Sequence, residues 1–117
     1  DAPLQAPKER DLHFVVGSVI GRIPIGPPEE ELIFQGYGPT TLDWEALTYY
    51  RFEWVSGDLL EYGRQVCLVE GASEASKEHA IQRTRRMFEP GRAVDSAYAL
   101  ERRQTPARPC PGYWRPR

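Results

Sequence analysis

The stretch DWEALTYYRFEWVSGDLLEYGRQVCLV, from Asp43 to Val69, decides the fold. Its apolar residues Leu47, Tyr50, Trp54, Leu59, Tyr62, Val66 and Val69 recur at three-, four- and five-residue steps, which is helical periodicity. Asp43 precedes the run as an N-cap, its carboxylate able to accept from the first unpaired backbone N–H groups. Glu45 places negative charge in the first turn, where the helix dipole favours it. No proline interrupts the run. Gly57 and Gly63 each cost a helix about 1 kcal/mol against alanine, so they are expected to mark close packing or a bend. The spacing predicts one helix of about seven turns, too aromatic to stand alone in water.

Upstream, DAPLQAP at Asp1 to Pro7 is a proline-punctuated loop, and Lys8 to Ile20 predicts a helix with Leu12, Val15, Val16 and Val19 on its apolar stripe. Gly21 to Pro27 breaks it. Pro28 opens a short helix, PEEELIFQG, whose three glutamates suit its positive end. Gly36 closes that helix, and Tyr37-Gly38-Pro39 turns the chain into the long one.

Downstream, Gly71 follows the long helix as a terminator. Ser73 caps a further helix to Phe88, with Ala75, Ala80, Ile81, Thr84 and Phe88 facing inward and Arg83, Arg85 and Arg86 outward. Glu89-Pro90-Gly91 stops it, and Arg92 to Arg102 forms a last short helix through Val94, Ala97, Tyr98 and Leu100. No segment alternates cleanly enough to be a strand. The expected fold is mainly α, with four to five helices around one long aromatic-rich helix over residues 1–103. The tail 104–117 is proline- and arginine-rich, a composition that predicts disorder.

A chain of 117 residues fits one domain. Its net charge of −2 argues against nucleic acid as a partner, which needs a concentrated basic face. No stretch approaches a membrane span, and no signal peptide is visible. The two cysteines, Cys67 and Cys110, fit a reducing, cytoplasmic setting better than a secreted scaffold. Cys67 reads as a small core residue with no base to activate it. The chain starts at Asp1 without methionine, which points to an excerpt or a processed product.

No phosphate-cradling or nucleophile-elbow motif occurs. His13 and His79 have no second ligand at usable spacing, so a zinc site is not expected. Glu29, Glu30 and Glu31 offer either a site for a cationic ligand or, the favoured reading, a solvated helix start. Glu53, Asp58 and Glu61 fall along one helical face. Beside a cavity that face binds amines; on a wet surface it pairs with Arg51 and Arg64. Taken alone, these residues describe a helical domain with no assembled nucleophile, base and oxyanion donor.

Three phrases add a resemblance. DAPLQAPKERDLHFV (Asp1 to Val15), ELIFQGYGPTTLDWEALTYYRFEWVSGDLLEYGRQVCL (Glu31 to Leu68) and FEPGRAVDSAY (Phe88 to Tyr98) resemble the C-terminal part of the aminoglycoside-phosphotransferase and choline-kinase-like superfamily. The nearest branch is the spectinomycin-phosphotransferase type. The likeness rests on an Ala-Pro and Arg-Asp-Leu opening after the family's Asp-Trp-Asp metal motif. A Gly-Tyr turn then leads to an Asp-capped helix with Ala-Leu-x-Tyr-Tyr-Arg, and a Phe-x-Pro-Gly stop follows. It covers roughly residues 1 to 100.

The resemblance implies the helical C-terminal subdomain of a kinase-like fold, whose parent enzyme transfers the ATP γ-phosphoryl group to a hydroxyl of a cationic acceptor, an aminoglycoside or aminocyclitol. ATP and magnesium are the parent family's cofactors. The family's His-Gly-Asp catalytic loop and nucleotide-binding lysine do not occur here, so the isolated chain is expected to be inactive and to need no cofactor. Asp1 corresponds to the second acid of the metal motif. Asp11 corresponds to a helix-opening aspartate with a structural role, bracing the catalytic loop. Glu31, Tyr37, Glu53, Trp54 and Asp58 are the expected acceptor wall, where carboxylates neutralise ammonium groups and position a hydroxyl. The competing readings are a free-standing helical module that binds a cationic small molecule, or one that self-associates as a homodimer through its aromatic face.

Overall fold

The computed structural model describes residues 5–20 and 23–104. Asp1 and the tail beyond Gln104, with Cys110, lie outside the described residues. The chain is mainly helical. Its element order is α1 (Glu9–Leu12), β1 (Val19–Ile20), β2 (Ile23–Pro24), α2 (Pro27–Tyr37), α3 (Trp44–Cys67), α4 (Glu74–Met87) and α5 (Ala93–Gln104).

The long helix forms where its sequence requires it. Asp43 stands just outside α3 with extended backbone, and its side chain accepts from the Ala46 N–H at 3.0 Å. The helix then runs unbroken for 24 residues. Ser73 caps α4 in the same way, accepting from Ser76 N–H at 3.1 Å. Gly91 reverses the chain between α4 and α5 at φ 73°, a conformation that a side chain disfavours. α2 starts one residue before its expected proline and extends through Tyr37, stopping at Gly38 with φ 98°.

α3 is the organising element, packed against α1, α4 and α5. Two apolar clusters line it. Leu12, Val16, Leu47 and Leu100 form the first, with Phe34 of α2 against them. Val55, Met87 and Ala97 form the second, flanked by Phe52, Trp54 and Tyr62. Within α4, Ala80 is buried as expected, but Ala75 and Phe88 are exposed and Met87 takes the inward place. The α4 helix ends at Met87, so Phe88 has left the helical register that would have turned it inward.

The helix expected over Lys8 to Ile20 is corrected. Only Glu9–Leu12 is helical, turns follow, and Val19–Ile20 pairs antiparallel with Ile23–Pro24. The cause is competition for the backbone. A continued helix would pair the His13 and Val16 carbonyls with N–H groups four residues on. Both carbonyls instead accept from one guanidinium nitrogen, Arg51 Nη2, the Val16 contact at 2.9 Å. The Gly17 N–H donates to Glu30 Oε1 at 2.7 Å, and Gly17 itself has φ 57°.

Arg51 is therefore not a surface partner of the acidic face. It is fully buried, and its third bond, from Nη1, goes to Ser96 Oγ of α5 at 2.9 Å. Among the described residues no carboxylate forms an ion pair with it. Two further expectations on α3 are corrected. Cys67 is exposed rather than a core residue. A Cβ at Gly57 or Gly63 would meet nothing within 4 Å, so neither glycine is there for close packing.

Candidate functional site

The expected acceptor wall divides. Tyr50, Glu53, Trp54, Gly57 and Asp58 occupy successive i, i+3, i+4, i+7 and i+8 places on α3, one helical face. That face forms one side of a cleft of about 450 Å³. The other side is Arg10, Asp11, His13 and Phe14 of the α1 segment. Glu53, Trp54 and Asp58 are thus brought together, and Asp11 joins them. Glu31 and Tyr37 are not. Glu31 borders a separate shallow depression with Phe34, Gly38 and Thr40, and Tyr37 stands half exposed against Phe34.

The cleft has an acidic rim and an aromatic floor. Among the described residues, Asp11, Glu53 and Asp58 face a single cation, Arg10. Phe14 meets the Trp54 ring edge-on at a centroid distance of 5.5 Å. His13 lies beneath, stacked obliquely on Phe14 at 4.0 Å and buried to 3 % exposure, with no partner for its Nδ1. Burial, assisted by the nearby Arg51 charge, pushes the His13 imidazolium down to about 4. The ring is neutral at physiological pH and adds no positive charge to the acidic cleft. Burial pushes the Asp58 carboxyl up, against the opposing pull of Arg83. Gly57 leaves open space where any other residue would project a side chain.

Trp54 and Asp58 also form the wall of a second, larger cleft of about 570 Å³ between α3, α4 and α5. Arg83, Arg86 and Arg92 line it, with Glu89, Tyr62, Met87 and the buried serines Ser18 and Ser96. Arg83 and Arg86 were expected on a solvated face, and the cleft they line is formed only by the docking of α4 on α3. The other expected ion pair did form. Arg64 donates to both Glu61 oxygens at 2.9 Å on the exposed side of α3.

Among the described residues no group of three His, Cys, Asp or Glu side chains is placed to hold a metal ion, and Asp1 lies outside them. None of their helices is long and apolar enough to cross a membrane. A scan against models of protein families, a search of curated proteins and a search of solved structures each found no match to this chain.

Proposed function

We propose that this chain is the helical, acceptor-holding part of a small-molecule phosphotransferase and that the acidic cleft takes a cationic, hydroxylated ligand of aminocyclitol type. The observation that carries the reading is the convergence of Glu53, Asp58 and Asp11 around the Trp54 and Phe14 rings. Carboxylates at the rim pair with ammonium groups, and aromatic faces accept the apolar side of a ring and attract its cations. The neutral His13 keeps the floor free of competing charge. In the parent enzyme such a wall raises the rate by holding a hydroxyl in place, while the γ-phosphoryl chemistry belongs to groups this chain does not contain.

The test is a titration of the purified chain with an aminocyclitol, without nucleotide, followed by Trp fluorescence and calorimetry. Saturable binding that weakens about tenfold in Glu53→Gln, the loss of one charge-assisted hydrogen bond, is the expected result. No saturation at millimolar ligand, or an unchanged affinity in the Glu53→Gln and Asp58→Asn variants together, sinks the reading.

A second reading has its own observation. Tyr49 and Leu60 stand largely exposed on α3, separated by three helical turns on one side. Self-association through that side makes the sedimentation coefficient rise with concentration and lose that rise in Leu60→Glu. A concentration-independent monomer removes it.

A further inference from the structure

The larger cleft carries charge of the opposite sign. Arg83, Arg86 and Arg92 line it against two carboxylates, Asp58 and Glu89. Glu89 is engaged with Arg92, at 3.8 Å from its Nε. Asp58 forms no ion pair with Arg83, whose Nε makes, among the described residues, only a long contact of 3.4 Å with His79. Arg86 makes no hydrogen bond or ion pair among the described residues. Arg83 and Arg86 lie three residues apart on α4, hence on one face.

A second, independent feature points into the same place. Ser18 is buried to 7 % exposure on the cleft wall. Its carbonyl accepts from the Ile25 N–H at 2.7 Å, which fixes the backbone, but its hydroxyl makes no hydrogen bond among the described residues. On a cleft wall, that hydroxyl is available to donate to a ligand. Ser96, in contrast, is fully committed, accepting from Arg51 and donating to the Ala93 carbonyl at 2.8 Å. The rest of the wall is apolar, from Trp54, Tyr62 and Met87.

We infer that this cleft binds a phosphate monoester, its phosphate held by Arg83, Arg86 and the Ser18 hydroxyl and its organic body resting on Trp54, Tyr62 and Met87. Two guanidinium forks on α4 and one hydroxyl on the turn before β1 offer more than two donors, which suits the three oxygens of a phosphate dianion better than the two of a carboxylate. The apolar wall requires an ester rather than the free ion. The two clefts share Trp54 and Asp58, but the arginines and Ser18 line only this one, so the inference does not rest on the acceptor reading.

The experiment is a titration of the full chain with phenyl phosphate, inorganic phosphate, benzoate and benzyl alcohol at constant ionic strength, read by amide chemical shifts and Trp fluorescence. Phenyl phosphate is expected to saturate, moving the amides of Ser18, Tyr62, Arg83 and Arg86, with the other three probes at least several-fold weaker. Arg86→Gln, at an exposed position that leaves the fold intact, is expected to weaken it about tenfold, and Ser18→Ala about threefold or more. No saturation by phenyl phosphate, or equal affinity in the Arg83→Gln/Arg86→Gln double variant, overturns the site. Benzoate binding as tightly as phenyl phosphate overturns the assignment to phosphate.

Discussion

Glu30 of α2 receives both terminal nitrogens of Arg103 of α5, at 2.7 and 3.0 Å, across 73 residues of sequence. The same carboxylate accepts the Gly17 N–H, and Arg103 in turn lies 5.0 Å above the Trp44 ring. Burial pushes the Glu30 carboxyl up, but the bonds from Arg103 and Gly17 outweigh it and hold it below its ordinary value. One side chain thus ties together α2, the turn after α1 and the last helix.

Removing that carboxylate leaves the Gly17 N–H and the Arg103 fork without their shared acceptor. Glu30→Ala is expected to cost about 1–3 kcal/mol, read by urea denaturation. In a double-mutant cycle with Arg103→Ala the coupling should reach at least about 0.5 kcal/mol. Additive losses would show that the pair is an exposed contact of no energetic consequence.

Buried His13 gives the fold a pH dependence of defined sign. Its folded pKa of about 4 lies below its ordinary 6.5, so the unfolded chain takes up the proton first as the pH falls. Stability is complete above about pH 6.5, declines between there and about pH 4, and is constant in this respect below. The integrated loss is up to about 3 kcal/mol. His13→Phe is expected to flatten this part of the stability profile. A wild-type midpoint that does not move between roughly pH 7 and about pH 4, the window of the titration, refutes the assignment.

The two glycines of α3 separate stability from binding. Both face open space, so Gly63→Ala and Gly57→Ala should each stabilise the helix, by up to about 1 kcal/mol. Only Gly57 lines the acidic cleft, so only Gly57→Ala should also weaken aminocyclitol binding. Destabilisation by Gly63→Ala would mean that α3 bends there.

Arg51→Met removes a buried guanidinium and leaves two carbonyls without a donor. A loss of about 3 kcal/mol or more is expected, with new protease sensitivity between residues 13 and 18. Arg51→Lys, which keeps the charge but offers a single nitrogen, should fall between the two. If Arg51→Met is as stable as the parent, the clamp has no energetic weight.

The helices were legible wherever local chemistry decides them. Asp43 and Ser73 announce their caps, Gly91 its turn, and the α3 periodicity its length. The segment after Leu12 was not legible, because the residue that unwinds it, Arg51, lies 38 positions away in sequence from His13. Periodicity assigns the interior to apolar side chains, so a fully buried arginine was invisible to it. The acidic cleft was half legible. Glu53, Trp54 and Asp58 share a face that can be counted along α3, whereas their partners Asp11, His13 and Phe14 arrive by tertiary packing. Glu31 and Tyr37 carry suitable chemistry, but α2 docks through Phe34 and Glu30 and keeps them apart from the rest.

The contrast between Arg51 and the acidic tethers sets an order of disassembly. Burial brings the Arg51 guanidinium down only to about 10, so it carries the same charge in the folded and unfolded chain throughout the neutral and acid range. The carboxylates of Glu9, which accepts from the Asp43 N–H at 3.1 Å, and of Glu30 are protonated in acid, and their anchors weaken. On acidification the first group to weigh against the fold is therefore His13, inside the loop that Arg51 clasps. The tethers of Glu9 and Glu30, whose carboxyls are held below their ordinary value, give way only after it, so the molecule loosens from within before its margin is released.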